Sequence, residues 1–489
     1  MDGHRFLSLL VTYAIPFIIP LLFLLAASRL IFHPLRDYPG PLLARLTDAY
    51  AGYFAIKKRL HLATYHNFQN YGPVLRQAPN RLVFDTVTAL HDIYPHPRIT
   101  KGEPYRYSQL RAKYPSIINA IDHIFLRLLL QSTQKANSVD ISKQCQRLGV
   151  DIIGLIAFGH QFKTQTEDSF RFLPHVIDAM SWRINVYMHF PPLSYLEGLL
   201  AILGKRQVIR FGDAVTNMIK ARMAQDKDTH HDLYSIVADY IGKGQQGLYR
   251  GELWPEAILF IMAGGTTTAT AMSAMFFYLS KNPAAYSALA AEIRSTFKSA
   301  DEIRSGPQLN SCKYLRACID ETLRMSPPSL AILWRQQDPR DPSSNDPWIV
   351  DDHVIPPGTQ VGVSLYSLFH NEAYFPDSFT FLPERWLDSH SDAVPGEETA
   401  SAAMRKAFAP FLIGDRACAG KAMAYLEASL TLARVFWFFD FESAPEQADV
   451  KGRGRPDEFQ MDDIFVAAHK GPRLVFRKRG YFWETLGVD

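Results

Sequence analysis

The stretch FAPFLIGDRACAGKAMAYLEASL, which runs from Phe408 to Leu430, places Cys418 in a loop of small residues just before an alanine-rich pattern that predicts a helix. Backbone N–H groups at a helix N-terminus stabilise negative charge, so this position favours a thiolate. The other three cysteines of the chain are Cys145, Cys312 and Cys318. The four form neither a dense disulfide framework nor a C-x-x-C zinc pattern, and their scatter suits a reducing compartment.

Composition predicts one large, mainly α domain with a small β-sheet region. The 489 residues are 47% apolar, so the chain can bury a sizeable core. Most patterns between residues 80 and 330 are helical. Strands are predicted on either side of the Pro79–Asn80 turn and again between Trp348 and Ser367. The net charge of +3 gives no electrostatic footprint for nucleic acid, so no nucleic-acid partner is predicted.

The N-terminal segment Phe6–Ser28 carries no charge and is long enough to cross roughly 30 Å of hydrocarbon as a helix. A cleaved signal peptide is the alternative, but no clear small-x-small cleavage site precedes Arg29. Six basic residues follow the segment before residue 60, whereas Arg5 alone precedes it, which predicts a cytosolic main body. We therefore predict a single transmembrane anchor at 1–32, a proline-rich hinge at 33–59 and the functional domain at 60–489.

A second uncharged stretch, Ala257–Leu279, also has the length of a membrane span. Its centre contains Gly264, Gly265 and three threonines, which loosen a helix and offer hydroxyl groups. A core helix that is apolar all round gives the same hydropathy. We favour the core helix, because a second span would place residues 280–489 across the membrane from residues 30–250.

The motif Phe411-x-x-Gly414-x-Arg416-x-Cys418-x-Gly420 resembles the haem-binding loop of the cytochrome P450 family, the haem-thiolate monooxygenases, at every diagnostic position. Five fixed residues are very unlikely to match by chance. The resemblance implies the cytochrome P450 fold and haem b as cofactor. Cys418 is then the axial ligand of the haem iron, and Gly414 and Gly420 let the backbone pass close to the haem.

Further motifs extend the resemblance over nearly the whole chain. Glu321-x-x-Arg324 is by itself expected about once by chance and is usually a surface salt bridge. It is followed by Arg385 in a Pro-Glu-Arg-Trp segment, and the resemblance makes these three residues a buried ion network that holds the cysteine loop. The resemblance also implies that Arg335 and Arg416 contact the haem propionates.

The stretch Ala263–Thr267 resembles the oxygen-binding helix of the family, with Gly264 beside the cofactor. Thr267 occupies the place of the catalytic threonine, which implies that its hydroxyl holds a water and relays protons. Thr266 stands where the family usually has Asp or Glu, so the proton source differs from the usual one. Polar filler in a core helix is the alternative for both threonines.

One motif of the family is absent. No tryptophan precedes Trp182, so the chain has no Trp-x-x-x-Arg helix. The sequence His123-x-x-x-Arg127 has the right spacing but lies too close to the helix that follows it. We therefore predict that a segment around 100–120 is shortened. The turn Ile464–Val466 resembles a substrate-lining turn of the family, with core packing as an equal alternative.

The resemblance is closest to fungal microsomal members of secondary metabolism. It implies an enzyme of the endoplasmic reticulum membrane that oxidises a small apolar substrate with O2 and with electrons from NADPH–cytochrome P450 reductase. The missing helix leaves a second possibility: a haem-binding protein impaired in oxygenation, either a relic or a catalyst of redox-neutral rearrangement.

Overall fold

The computed structural model describes residues 15–96, 99–101, 120–134, 137–226, 229–230, 232–238, 253–338, 347–387, 400–445 and 455–486. Helices dominate these residues. In chain order the α-helices are α1 (Ile15–Leu30), α2 (Leu42–Leu46), α3 (Ala49–Ile56), α4 (Leu60–Tyr71), α5 (Val87–Ile93), α6 (Arg127–Gln134), α7 (Ile141–Phe158), α8 (Leu173–His189), α9 (Glu197–Met223), α10 (Leu233–Val237), α11 (Leu253–Lys281), α12 (Pro283–Thr296), α13 (Pro307–Asn310), α14 (Lys313–Met325), α15 (Leu365–Phe369), α16 (Ala400–Ala407) and α17 (Lys421–Phe438).

The strands form small sheets at the edges of the helical body. They are β1 (Val74–Ala78), β2 (Arg81–Phe84), β3 (Ile99–Lys101), β4 (Val139–Asp140), β5 (Arg335–Gln337), β6 (Trp348–Val350), β7 (His353–Ile355), β8 (Gln360–Val363), β9 (Phe439–Ser443), β10 (Met461–Asp462), β11 (Ala468–His469) and β12 (Arg473–Lys478). The largest sheet has the order β1-β2-β8-β5-β3, and a second sheet has the order β4-β12-β9. The predicted antiparallel pair around the Pro79–Asn80 turn is confirmed as β1 and β2.

The central helix α11 lies in the interior. It packs most extensively against α7 and also contacts α9, α14 and α17. The crossing with α7 is very close, because a Cβ added at Gly149 of α7 would lie 2.1 Å from the carbonyl oxygen of Gly265 in α11. This contact accounts for a glycine in the middle of each helix, where glycine otherwise lowers stability.

Among the described helices, α11 alone has the length and hydropathy of a membrane span, and about two thirds of that apolar stretch is buried inside the fold. The placement agrees with its interpretation as a core helix. The N-terminal segment forms α1, in which Pro20–Leu30 is a shorter apolar helix. Residues 1–14 of the predicted anchor lie outside the described residues.

The predicted hinge is attached to the domain. From residue 42 onward it forms α2 and α3, and α3 packs against α8. The buried guanidinium of Arg76 in β1 donates to the carbonyl oxygens of Arg29 (3.0 Å), Leu35 (3.4 Å) and Pro79 (3.0 Å). The proline-rich exit from α1 is therefore fixed to the edge of the largest sheet. The predicted shortening around 100–120 falls almost entirely on residues 102–119, outside the described residues.

The α7–α11 crossing predicts a specific sensitivity. Gly149→Ala should lower stability by about 2 kcal/mol or more, because the added methyl group meets backbone that cannot move aside without separating the two helices. Gly212→Ala in α9 is the matched control. Its nearest non-local neighbour is 3.9 Å from the added Cβ, so helix propensity should raise stability by about 0.5–1 kcal/mol. Thermal unfolding followed by circular dichroism measures both, and equal midpoints for the two variants would contradict the prediction.

Candidate functional site around Cys418

The loop between α16 and α17 folds back on itself to present Cys418. The Cys418 N–H donates to the carbonyl oxygen of Phe411 (2.8 Å), and the Ala417 N–H donates to that of Gly414 (3.0 Å). Leu412 and Gly414 have positive φ angles of 57° and 77°. These two left-handed residues reverse the chain twice within a few positions, so the cysteine emerges directly at the start of α17.

Gly414 also fixes the loop against the rest of the fold. A Cβ at this position would lie 2.6 Å from the carbonyl oxygen of Tyr94 and 2.7 Å from Cα of Pro95. The Tyr94 hydroxyl accepts a hydrogen bond from the Val363 N–H (3.2 Å), and the guanidinium of Arg335 lies 4.9 Å from the centroid of the Tyr94 ring. Tyr94 therefore connects the cysteine loop to Arg335.

The Cys418 side chain is exposed, as are the residues around it from 414 to 422, whereas the following turns of α17 are largely buried. Its sulfur nevertheless sits in a recess: partial burial raises the pKa of the Cys418 thiol, and the N–H groups of Gly420 and Lys421 lower it by a smaller amount. The net direction is upward. The two N–H groups act in the direction that the sequence predicts, but the loss of hydration outweighs them when no metal is bound.

A bound metal cation would reverse that balance, since a coordinating thiol is deprotonated outright. The residues around Cys418 fit a haem whose iron is bound by the cysteine sulfur. The sulfur is accessible, two N–H groups are directed at it, and a Cβ added at Gly420 would stand only 3.7 Å from it. The donor set is one soft thiolate, which suits iron in a haem. Among the described residues no group of three or more His, Cys, Asp or Glu side chains forms a separate metal site.

The middle of α11 has one accessible face. Ala263 is exposed and Thr267 is partly exposed, while their neighbours Gly265 and Thr266 are buried. Residues 263 and 267 are four apart and share a face of the helix. The Thr267 hydroxyl donates to the carbonyl oxygen of Ala263 (2.6 Å). Its lone pairs remain available to accept a hydrogen bond from water.

Thr266 and Gly264 have different surroundings from those expected. Thr266 is 5% exposed and its hydroxyl donates to the carbonyl oxygen of Met262 (2.6 Å), so it lies on the packed face of α11. An added Cβ at Gly264 would meet Cδ1 of Ile153 at 2.5 Å, so this glycine packs against α7 at the helix crossing. Of the two threonines, Thr267 is therefore the one on the accessible face of α11, where a cofactor could be reached.

The two predicted propionate partners differ in environment. Arg335 is 3% exposed and donates to the carbonyl oxygens of Leu333 (3.3 Å) and Trp334 (3.1 Å). It is therefore held in one position at the edge of β5. Arg416 is exposed in the cysteine loop. In the alternative motif His123-x-x-x-Arg127, Nε of Arg127 donates to the carbonyl oxygen of Leu486 (2.9 Å).

The predicted ion network forms, with Glu321 and Arg324 fully buried and Arg385 at its partly exposed edge. Arg324 donates to both carboxylate oxygens of Glu321 at 2.9 Å, and Nε of Arg385 donates to Oε1 at 3.0 Å. The Trp386 indole N–H (2.9 Å) and the Leu382 N–H (3.0 Å) complete the shell. The sequence pattern identified the three ionic residues. The roles of Trp386 and Leu382 follow from a 3-10 turn, Pro383–Trp386, that curls around the carboxylate.

A second polar cluster, which the sequence analysis missed, lies beside the cysteine loop. The Tyr425 hydroxyl of α17 donates to Oδ1 of Asp320 in α14 (2.6 Å), and Nε of Arg316 donates to Oδ2 (2.8 Å). The Arg316 guanidinium stacks on the Tyr425 ring at 3.6 Å, and that ring also contacts Phe411 at 5.2 Å. From the sequence, only the contact between Arg316 and Asp320 could have been predicted, because the two residues are four apart in a helix.

Glu427 is a buried carboxyl group in α17, nine residues after the cysteine. Neither of its oxygens has a hydrogen-bond partner among the described residues. Burial raises the pKa of Glu427 to about 8. The side chain is therefore mostly protonated at neutral pH and adds little negative charge to the interior of the fold.

Comparisons with known proteins agree with this arrangement. The family model Cytochrome P450 matches residues 105–461. The chain is 32% identical to cytochrome P450 monooxygenase poxM of Penicillium oxalicum, over 96% of this chain and 94% of that protein. It is 31% identical to cytochrome P450 monooxygenase AKT7 of Alternaria alternata, over 92% and 94%. The first alignment spans 511 positions, more than the 489 residues of this chain, so this chain lacks residues that poxM contains.

The buried network predicts a large loss of stability on a small change. Glu321→Gln removes the charge that pairs with Arg324 and Arg385, so two buried cations lose their counter-ion and the cost should be about 3–5 kcal/mol. Glu442→Gln is the matched control, because Glu442 pairs with Arg477 at the surface and should change stability by less than about 1 kcal/mol. Denaturant unfolding of both variants tests this, and an equal effect would contradict it.

Glu427 predicts a pH dependence. The pKa of Glu427 is higher in the folded than in the unfolded protein. The contribution of Glu427 to the free energy of unfolding is therefore complete below about pH 4.5 and is lost as the pH rises towards 8. Glu427→Gln cannot titrate, so it should match the wild type at pH 5 and exceed it by up to about 4 kcal/mol near pH 9. The exposed Glu484→Gln serves as the control. A wild type whose stability relative to Glu427→Gln is the same at both pH values would refute the assignment.

Proposed function

Because the chain belongs to the cytochrome P450 family of monooxygenases, we propose that it inserts one oxygen atom from O2 into a small, mainly apolar metabolite. Electrons would come from NADPH through NADPH–cytochrome P450 reductase. The observation that carries the proposal is the accessible Cys418 sulfur at the start of α17, with two backbone N–H groups directed at it. The named fungal relatives support a place in fungal secondary metabolism.

The residues of the chain would divide the work as follows. Cys418 would ligate the iron, and Arg335 and Arg416 would pair with the propionates, the first from a fixed position and the second from an exposed one. When bound, the haem supplies O2 binding and the oxidising chemistry. Thr267 would hold a water with its free lone pairs and pass a proton through its hydroxyl. Thr266 is too buried to share that role.

Membrane attachment is part of the proposal. The helix α1 presents exposed apolar side chains, and the chain before it is apolar as far as Phe6. We propose that this segment is a single anchor in the endoplasmic reticulum membrane and that the basic residues after it keep the catalytic domain in the cytosol. The hydrogen bonds of Arg76 would then hold the domain close to the membrane surface.

The second candidate, a haem-binding protein impaired in oxygenation, rests on a specific observation. The chain has no Trp-x-x-x-Arg motif before Trp182, and Arg127 already donates to Leu486. One propionate partner and part of the face that receives the reductase would then be missing. NADPH consumption measured together with the yield of oxygenated product separates the two candidates, because an impaired protein consumes NADPH without making product or does not consume it.

Thiolate ligation is the direct test of the proposed function. The reduced protein with carbon monoxide should show the strongly red-shifted Soret band of a thiolate-ligated haem, and Cys418→Ala should abolish it. Cys312→Ala is the control, because Cys312 is buried at the start of α14 and should leave the band unchanged. A band of the imidazole-ligated kind in the wild type would overturn the assignment of Cys418.

A further inference from the structure

A small apolar cluster lies between the end of α8, the β1–β2 hairpin, the chain before β5 and the turn between β10 and β11. Its members are Phe68, Leu75, Val83, Met188, Ile332 and Trp334, with Phe465 packed against them. The cluster is separate from the three larger cores of the described fold. Because its members come from several segments that are distant along the chain, the position of the cluster could not be predicted from the sequence.

Two polar side chains at this cluster, His189 and Trp334, are buried without side-chain hydrogen bonds to any other described residue. His189, the last residue of α8, is 1% exposed, and Trp334 is 2% exposed. Among the described residues, the two ring nitrogens of His189 have no hydrogen-bond partner. The indole N–H of Trp334 has none either. The two rings lie 6.2 Å apart at 69°. Buried polar atoms without hydrogen bonds cost stability, so three such atoms in one place point to a ligand.

The imidazole of His189 is neutral here. Burial lowers the pKa of His189 to about 3, and the charge of Arg81 acts in the same direction against the weaker opposite effect of Asp463. A neutral imidazole offers one N–H donor and one acceptor, and Trp334 offers a donor only. Arg81 stacks on the Trp334 ring, with its guanidinium 5.3 Å from the ring centroid. His189 and Trp334 can therefore both donate hydrogen bonds to one neutral oxygen atom.

The cluster is connected to the proposed catalytic residues through short stretches of backbone. Trp334 directly precedes Arg335. On the other side, the carbonyl oxygen of Ala467 accepts a hydrogen bond from the Thr270 hydroxyl (3.2 Å), three residues along α11 from Thr267. The Ala467 N–H donates to the carbonyl oxygen of Pro328 (2.7 Å). A molecule held at Trp334 and His189 would thus lie beside elements that also carry the cofactor-side residues.

The turn that holds Phe465 is fixed at its base and strained at its tip. The carboxylate of Asp463 accepts from the His61 N–H (3.1 Å) and the Asn185 side chain (3.1 Å), and the Asp463 N–H donates to the carbonyl oxygen of Lys58 (2.8 Å). Phe465 has a φ of 83°, which is unfavourable for a residue with a side chain. Such strain is retained where surrounding contacts enforce it, frequently at ligand sites.

We propose that Trp334 and His189 form the polar end of the substrate site and bind a carbonyl or hydroxyl oxygen of an otherwise apolar substrate. The inference rests on the proposed function, which it extends from an apolar metabolite to one that already carries oxygen. The Trp334 N–H and the His189 N–H donate to the two lone pairs of a carbonyl. A hydroxyl accepts from Trp334 and donates to the free nitrogen of His189.

The test measures binding, so it can fail independently of the oxygenation reaction. The haem-loaded protein, without reductase or NADPH, is equilibrated with 2-decalone or with decalin, which share a carbon skeleton and differ by the oxygen. The wild type should bind the ketone about tenfold more tightly or better. In Trp334→Phe and in His189→Phe this preference should fall to about twofold or less, while decalin binding stays the same.

Trp348→Phe is the matched control, because its indole N–H is also buried and unpaired but belongs to a different core cluster. It should keep the wild-type preference. An equal preference in wild type, Trp334→Phe and His189→Phe overturns the proposal, as does a wild type that does not favour the ketone or binds neither probe. Thermal unfolding supplies a second check, since a fall of more than a few degrees in both variants would mean that these atoms stabilise the fold. The carbon monoxide band reports separately on the proposed function.

Discussion

The carboxylate of Glu321 accepts hydrogen bonds from Nε and Nη2 of Arg324, from Arg385, from the Trp386 indole and from the Leu382 N–H. Removing one partner of a buried ion pair is strongly destabilising, because it leaves a buried charge uncompensated. The network therefore fixes the segment from the end of α15 to Trp386, which precedes the cysteine loop. Arg324 adds bonds to the carbonyl oxygens of Phe369 (2.8 Å) and Ser378 (2.6 Å), which fix the same segment from its other side.

The cysteine loop then has two further attachments. Gly414 lies against the backbone of Tyr94, whose ring stacks with Arg335, and Phe411 contacts Tyr425 within the cluster of Arg316 and Asp320. Because the loop is fixed on both sides, the sulfur of Cys418 has a defined position before any cofactor binds. The chain does not make that sulfur a thiolate by itself, since burial raises its pKa more than the two N–H groups lower it. Deprotonation and ligand binding are therefore coupled.

On the other side of the fold, the close crossing of α7 and α11 positions the threonine pair. Glycines at the contact allow the two backbones to touch, and this fixes the rotation of α11 so that Thr267 is accessible and Thr266 is packed. The turn after β10 is tied to the same helix through Thr270, and Asp463 anchors it to α4 and α8. The polar end of the proposed substrate site, at Trp334 and His189, is therefore positioned by α11 and by the sheet that carries Arg335.

The sequence by itself determined the elements whose residues are close along the chain. The cysteine loop, the Glu321 and Arg324 pair, the β1–β2 hairpin and the long apolar helix all have local patterns, because helical spacing and turn chemistry act within a few residues. Tertiary structure decided everything that depends on distant partners. It assigned Thr266 to the packed face, gave Gly264 a role in helix crossing, raised the pKa of Cys418 and brought Tyr94, Trp386 and Tyr425 to the site. It also left the ring nitrogens of His189 and Trp334 buried without hydrogen-bond partners among the described residues. The physical reason is that burial and hydrogen bonding depend on the surrounding fold, which no stretch of sequence specifies alone.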